Sequence, residues 1–279
     1  MPPSLPPARS VLLPRRGRTW AYDSGGSGVP LLLLHGWTST AALNWYRCFP
    51  ALSERYRVVA MDHRGHGRGI RSRLPFRLED CADDAAALIE ELDLGPCTVV
   101  GYSMGGPVTQ LMWRRHPDAV QGMVLCATAS RFPIRVFNQP VGALGAGLTS
   151  ALSLIPNSLR RAGMNYATAR WTSSNGSADW ATEEWSRADP SALIQAGAAL
   201  GRFDSTPWLG QVDVPTAIVL TQRDMTVPPR RQQYLAQHIP GAVTFPVDGD
   251  HRACVDAPRS FIPALSSACE AVRRQPARR

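Results

Sequence analysis

The sequence predicts an α/β protein, a mostly parallel sheet flanked by helices, with an inserted helical segment. Three observations carry this reading. Six short apolar runs recur along the chain, each bounded by turn residues, and the first five are near-continuous rather than alternating, as in strands buried on both faces. Stretches with helical spacing lie between the runs, and strand alternating with helix implies parallel pairing through right-handed crossovers. The length of 279 residues suits one α/β domain carrying an insertion rather than two independent domains.

Taken in order, residues 1–14 (MPPSLPPARSVLLP) are Pro-rich and read as a poorly ordered arm. The apolar runs follow: Val29–Leu34, ending in His35-Gly36, then Arg57–Met61, Cys97–Val100, Gly122–Ala127, Pro215–Thr221 and Ala242–Val247. Helical spacing is clearest in Glu79–Leu92. There Cys81, Ala85, Leu88 and Leu92 share one side, and Asp83, Asp84, Glu90 and Glu91 lie on the other. Met104–His116 ends at Pro117, Arg230–His238 ends before Ile239-Pro240, and Ser260–Arg273 is the closing helix. The rhythm breaks over residues 130–206, which are read as a mostly helical cap. The core is then 15–129 plus 207–279. Within the cap, Val136–Leu159 is uncharged but interrupted by Pro140, Gly142, Gly145, Gly147 and Pro156, a poor membrane span. It reads first as a lid over an apolar pocket and second as a peripheral membrane contact.

Composition excludes several classes. Hydrophobic residues make up 44% and charged residues 19%, an ordinary globular balance. The net charge is +8, and all 30 basic residues are Arg. They are scattered and not interleaved with aromatics, so a nucleic-acid partner is not expected. Six cysteines stand alone with no CxxC pair, and the N-terminus has no apolar core of a secretory signal. Both favour a reducing cytoplasm. Nothing in the sequence sets an oligomeric state.

The segment that carries chemistry is Gly101-Tyr102-Ser103-Met104-Gly105-Gly106. It lies between an expected strand and an expected helix, the context of a nucleophile elbow. There a tight turn exposes the Ser103 hydroxyl, and Gly101 and Gly105 allow close backbone approach. The pattern alone is weak; its flanks make it specific. A serine hydroxyl needs a base, and the base needs an orienting carboxylate further along the chain. Of the downstream histidines, His116 and His238 sit at helix ends. His251, in the turn Asp248-Gly249-Asp250-His251 after the last expected strand, is the candidate base. Asp224, three residues past the run ending at Thr221, is the candidate carboxylate, with Asp248, Asp250 and Asp256 as competitors. The other common placement, after the strand ending at Ala127, is filled by Thr128. Acyl transfer also needs an oxyanion hole. The main-chain N–H of Met104 is one candidate donor, and that of Trp37, in His35-Gly36-Trp37, is the other. His35 reads as a loop brace. Asp62-His63-Arg64-Gly65-His66 lacks further His or Cys to complete a metal site, and Gly65–Gly69 lacks dinucleotide spacing.

Together, His35-Gly36-Trp37, Asp62-His63-Arg64-Gly65-His66-Gly67, the Ser103 segment and the Asp224 and His251 loops resemble the α/β-hydrolase superfamily, in its serine esterase/lipase and proline-iminopeptidase-like branch. The resemblance implies an eight-stranded, mostly parallel sheet, a Ser-Asp-His triad, and no metal or organic cofactor. One departure is the Arg-rich loop with Arg64, Arg68, Arg71 and Arg73. The expected activity is hydrolysis of a small-molecule carboxylic ester with an apolar acyl group through an acyl-enzyme. Thioesterase, amidase or aminopeptidase, and carbon–carbon bond hydrolase remain alternatives on the same triad. So does a non-catalytic binder of an apolar ligand. An aminopeptidase would want a carboxylate pair in the cap to hold a substrate ammonium. Glu183-Glu184 are the candidates, although solvated helix charges are the simpler reading.

Overall fold

A computed structural model of the chain describes residues 3–132, the backbone at 135–136 and 139–140, and residues 178–275. Its main sheet has eight strands: β1 Ala8–Leu13, β2 Gly17–Asp23, β3 Val29–Leu34, β4 Tyr56–Met61, β5 Cys97–Tyr102, β6 Val120–Cys126, β7 Thr216–Thr221 and β8 Val243–Val247. Their spatial order is β1-β2-β4-β3-β5-β6-β7-β8. β1 and β2 pair antiparallel, as do β2 and β4, and all other neighbours are parallel. The six expected runs correspond to β3 through β8. β5 and β7 are buried at every position, which is why their sequences do not alternate.

The arm expected over residues 1–14 needs correction. Residues 8–13 form β1, in register with β2 from Ala8 opposite Tyr22 to Leu13 opposite Gly17. Val11 and Leu13 are buried while Leu12 between them is exposed, the period of a half-buried edge strand. The prolines just before it obscure so short an alternation. β2 was not expected from its sequence either. Its order depends on pairing with β1 on one side and β4 on the other.

Nine helices are described. α1 Ala41–Trp45 and α2 Phe49–Ser53 follow β3, α3 Leu78–Glu91 follows β4, and α4 Gly105–Arg115 follows β5. α5 Ala178–Ser186 and α6 Pro190–Arg202 lie between β6 and β7. α7 Pro229–His238 follows β7, and α8 Ala253–Asp256 and α9 Pro258–Arg274 close the chain. Two apolar layers cover the sheet. One joins α3, α4 and α7 to it through residues such as Leu88, Val108 and Leu235. The other brings in α1, α2 and α9 through Trp45, Phe49, Phe261 and Leu265. No described helix is long and apolar enough to cross a membrane.

Asp84 is a second correction. Expected on the side of α3 opposite its apolar positions, it is fully buried. Arg64 grips it with a fork (Nε to Oδ2 2.8 Å, Nη2 to Oδ1 2.8 Å), and Arg16 from the β1–β2 turn binds Oδ1. Burial of so short a carboxylate is tolerated because two guanidinium groups satisfy it. One acid thus ties the first hairpin and the loop after β4 to α3.

Within the insertion, α6 starts cleanly. Pro190 occupies its first turn, and the Asp189 carboxylate caps it by accepting from the Ser191 and Ala192 amides. A two-residue antiparallel pair, Arg135–Val136 with Gln139–Pro140, precedes these helices. The rest of the uncharged stretch to Leu159, and Trp171, lie outside the described residues.

Candidate active site

Strand register builds the site. Leu34 of β3 lies opposite both Met61 of β4 and Gly101 of β5, and Tyr102 lies opposite Cys126. Thr221 of β7 lies opposite Val247 of β8. The loops after β3, β5, β7 and β8 therefore leave the same edge of the sheet. Asp224 follows Thr221 by three residues, and His251 follows Val247 by four, so two loops suffice to bring both to the tip of β5.

Ser103 occupies the turn from β5 into α4 with φ +50, a conformation that strains a residue with a Cβ. The turn is held from both sides. The Ser103 N–H donates to Cys126 O, and the Ser103 carbonyl accepts from Gly106 N–H (2.9 Å each). The same carbonyl accepts from the Thr128 hydroxyl at 2.7 Å. Thr128, which fills the alternative carboxylate position after β6, is a brace for the turn. The two elbow glycines are sterically required. A Cβ on Gly101 would lie 2.3 Å from Gly105 O, and one on Gly105 would lie 2.2 Å from Leu34 O.

The structure brings Ser103, His251 and Asp224 together. His251 Nε2 lies 3.0 Å from Ser103 Oγ, and its Nδ1 lies 2.8 Å from Asp224 Oδ2. Asp224 is buried and saturated with donors. Its Oδ1 accepts from the Thr226 and Val227 amides at 2.8 and 2.7 Å, and its Oδ2 accepts from the Thr221 hydroxyl at 2.9 Å. Gln232 of α7 fixes this loop by accepting from Thr221 N–H and donating to Thr221 Oγ and Val227 O. An acid so placed acts as an acceptor, which assigns the proton on His251 to Nδ1 and leaves Nε2 facing the serine. The Tyr102 hydroxyl donates to His251 O at 2.9 Å and holds the histidine loop against β5.

The competitors are engaged elsewhere. Asp248 pairs with Arg223, Asp256 pairs with Arg252, and Asp250 accepts from the Arg252 amide. His116 bonds Asp83, and His238 bonds Tyr234 O.

The loop after β3 passes against the serine. A Cβ on Gly36 would lie 3.2 Å from Ser103 Cβ, and the Gly36 amide donates to Asn44 Oδ1 at 3.0 Å. Trp37 follows immediately. Met104 is the residue after Ser103, at the N-terminus of α4, where helix amides lack intrahelical partners. His35 braces this loop. Its Nδ1 donates to Gly36 O at 2.8 Å, and its Nε2 accepts from His63 N–H at 2.9 Å. Its ring packs 4.4 Å from that of His63 and 5.3 Å from that of His66. All three rings are buried and uncharged. Burial first, and the neighbouring imidazoles second, hold His35 well below the usual range and His63 down to about 3. Burial, and then Arg71, hold His66 down to about 4 despite its bond to Arg64 O. Sequence reasoning identified His35 as a brace but missed the stack, whose signal was His63 and His66 flanking Arg64-Gly65.

The Arg-rich loop after β4 has a use that sequence reasoning also missed. Arg68 binds Glu184 of α5, and its guanidinium lies 5.0 Å over the Trp20 ring. Arg71 donates to Gly67 O, Gly69 O and the carbonyl of Arg187. Glu184 is therefore not a solvated helix charge. It is buried between Arg68 and Arg187, and neither is it a free carboxylate that could hold a substrate ammonium.

The arrangement can pass a proton from a strained hydroxyl to an imidazole whose far nitrogen is held by a buried carboxylate. The mostly parallel sheet with this turn at the end of β5 has the architecture of the α/β-hydrolase class. Comparison makes the assignment specific: the chain belongs to the alpha/beta hydrolase fold family, whose model matches residues 29–258. Among curated relatives, it is 27% identical over 248 residues to a pimeloyl-[acyl-carrier protein] methyl ester esterase of Nitrosomonas europaea, covering 86% of this chain and 95% of that one. It is 29% identical over 215 residues to the enzyme of the same name from Neisseria meningitidis, covering 75% and 81%. Among solved structures, a hydrolase from Pseudomonas aeruginosa superposes with a TM-score of 0.79 at 21% identity, covering 93% of this chain and 97% of that one. That likeness shows the fold.

Proposed function

We propose that this hydrolase cleaves carboxylic esters with Ser103 as nucleophile, His251 as general base and acid, and Asp224 as the group that orients and stabilises the imidazolium. The observation that carries this reading is the continuous chain Asp224 Oδ2–His251 Nδ1 at 2.8 Å and His251 Nε2–Ser103 Oγ at 3.0 Å, ending on a residue held in a strained turn. Ser103 Oγ attacks the ester carbonyl as its proton moves to His251 Nε2. The main-chain N–H groups of Trp37 and Met104 take the oxyanion. Collapse of the tetrahedral intermediate breaks the C–O bond, and the His251 proton passes to the departing alkoxide, leaving an acyl-Ser103. Water then attacks as His251 takes one of its protons, and the acid leaves as Ser103 is restored.

An ester is favoured over the alternatives on the same triad because the similar enzymes of Nitrosomonas europaea and Neisseria meningitidis are, by name, methyl ester esterases. The substrate proposed here has an apolar acyl chain and a small alcohol as leaving group. α5 and α6 are read as part of a cap over the site. The test is turnover of p-nitrophenyl esters by the wild type and by Ser103→Ala. A loss of about 10⁴-fold or more in kcat supports the reading. Retained turnover overturns it.

A further inference from the structure

We propose that Gly197 and Leu193 of α6 are positioning residues for the Trp37 main-chain N–H, so that the inserted helix sets one side of the oxyanion hole. The inference rests on the oxyanion role proposed above for Trp37 and extends it to residues 156 and 160 positions away in the chain.

Two features of Gly197 call for an explanation. It is buried in the interior of α6, where glycine costs about 1 kcal/mol relative to alanine. It is also not among the glycines with positive φ, so its backbone does not demand glycine. What demands it is the Trp37 indole. A Cβ at 197 would lie 2.6 Å from Trp37 Cζ2 and 2.9 Å from Cη2, closer than carbon atoms approach. The same indole donates from Nε1 to the carbonyl of Leu193 at 2.8 Å. In α-helical geometry that carbonyl also faces the amide of residue 197. The ring thus rests against α6 at a position that has no side chain, and a hydrogen bond fixes it there.

The next residue is held by the insertion as well. Thr38 has φ +57, and its carbonyl accepts from Trp185 Nε1 of α5 at 2.6 Å. On the core side, Asn44 and His35 fix Gly36. The peptide that carries the Trp37 N–H is therefore clamped between the sheet edge and the insertion. An oxyanion donor must be placed to within a fraction of an ångström, and displacement of about 1 Å is costly to turnover while sparing substrate binding. The buttress on α6 accordingly acts on kcat rather than on KM.

The experiment uses the full-length chain, p-nitrophenyl butyrate as substrate and an alkyl boronic acid as mimic of the tetrahedral intermediate. Gly197→Ala pushes the indole off its seat. The expected result is a fall in kcat of about 10–100-fold, KM within about threefold of wild type, and boronate affinity reduced in step with kcat. Trp37→Phe lacks the outer ring atoms that the new methyl would strike, so Trp37→Phe/Gly197→Ala is expected to turn over faster than Gly197→Ala alone. Full kcat in Gly197→Ala, or a double variant as slow as the product of the two single losses, overturns the proposal. If Gly197→Ala does not yield folded protein, Trp37→Phe alone carries the test. It deletes the bond to Leu193 and adds no atom, so an unchanged kcat and boronate affinity overturn the proposal. Wild-type activity and its loss in Ser103→Ala are measured in parallel. Failure of those controls strikes the triad reading, whereas failure of the Gly197 series with intact controls strikes this inference alone.

Discussion

Arg68 and Glu184, 116 residues apart, meet in a fork: Arg68 Nη2 to Glu184 Oε1 at 2.9 Å and Nη1 to Oε2 at 3.2 Å. The pair joins the loop after β4 to α5. Asp189 N–H reaches Gly65 O at 2.8 Å beside it, and the Phe76 amide donates to Gln195 of α6 at 2.9 Å. α5 and α6 are therefore fastened to the loop after β4 by charge and backbone bonds as well as by apolar contact.

The first prediction concerns this fork. Arg68→Ala leaves a buried carboxylate with Arg187 alone, while Arg68 itself is partly solvated. Screening reduces the cost of a broken buried pair to about 1–3 kcal/mol. Chemical denaturation should show that loss for Arg68→Ala and a smaller one for Arg68→Ala/Glu184→Gln, which removes the stranded charge as well. Additive losses would show that the two side chains do not act as a pair.

A second prediction isolates the orienting acid. Asp224→Asn can keep the donors from Thr226 and Val227 but presents His251 with the wrong partner. The imidazole then loses its tautomer, and kcat should fall by about 10³–10⁴-fold with little change in KM. Crystallography or near-UV dichroism of the variant should show a native fold. Turnover within tenfold of wild type would place the orienting role on another residue.

A third prediction is a pH dependence of stability. The unfolded chain protonates histidine below about pH 6.5. In the fold, His63 and His66 stay neutral down to about 3 and 4, and His35 stays neutral well below its usual value. A base with a depressed folded pKa contributes stability above its unfolded pKa and loses it as pH falls, so stability declines from about pH 6.5 downward. Asp62 acts in the opposite sense. Burial pushes its carboxyl up to about 6, so its penalty is relieved as pH falls through that value. Three histidines outweigh one aspartate, and the net loss by pH 4 is on the order of a few kcal/mol. Neither His63 ring nitrogen has a hydrogen-bond partner among the described residues, so His63→Phe should flatten the profile. Thermal melts from pH 7 to 4 provide the check, and a profile as steep in the variant as in the wild type would remove His63 from the account.

The fourth prediction tests the elbow brace. Thr128→Val keeps the shape of the side chain and deletes the bond to Ser103 O. It should destabilise the protein by about 1 kcal/mol and slow turnover several-fold, because the strained φ at Ser103 is then held by fewer bonds. Stability and kcat both at the wild-type level would show that the amide bonds to Cys126 and from Gly106 suffice.

How much of this could be read from the sequence follows from what each feature depends on. β3 is fixed by its own residues, because a run of leucines buried on both faces needs no partner to be identified. The Ser103 turn is legible for the same local reason: glycine is required wherever backbone oxygens approach a Cβ position, as at Gly101 and Gly105. β1 was missed because an edge strand of six residues takes its order from pairing with β2. Asp84 and Glu184 were misplaced because their burial depends on arginines 20 and 116 residues away, and nothing in their own helices marks them as paired. The seat for Trp37 on Gly197 is of the same kind. A glycine inside a helix is visible in sequence, but the ring that lies on it is not.

The most direct measurement of the central claim is covalent labelling with an alkyl fluorophosphonate, read by intact mass and peptide mapping. The account predicts one adduct per chain, on Ser103, formed rapidly by the wild type and at least about a hundredfold more slowly by His251→Ala. Labelling of another residue, or labelling of Ser103 at the same rate without His251, would contradict it.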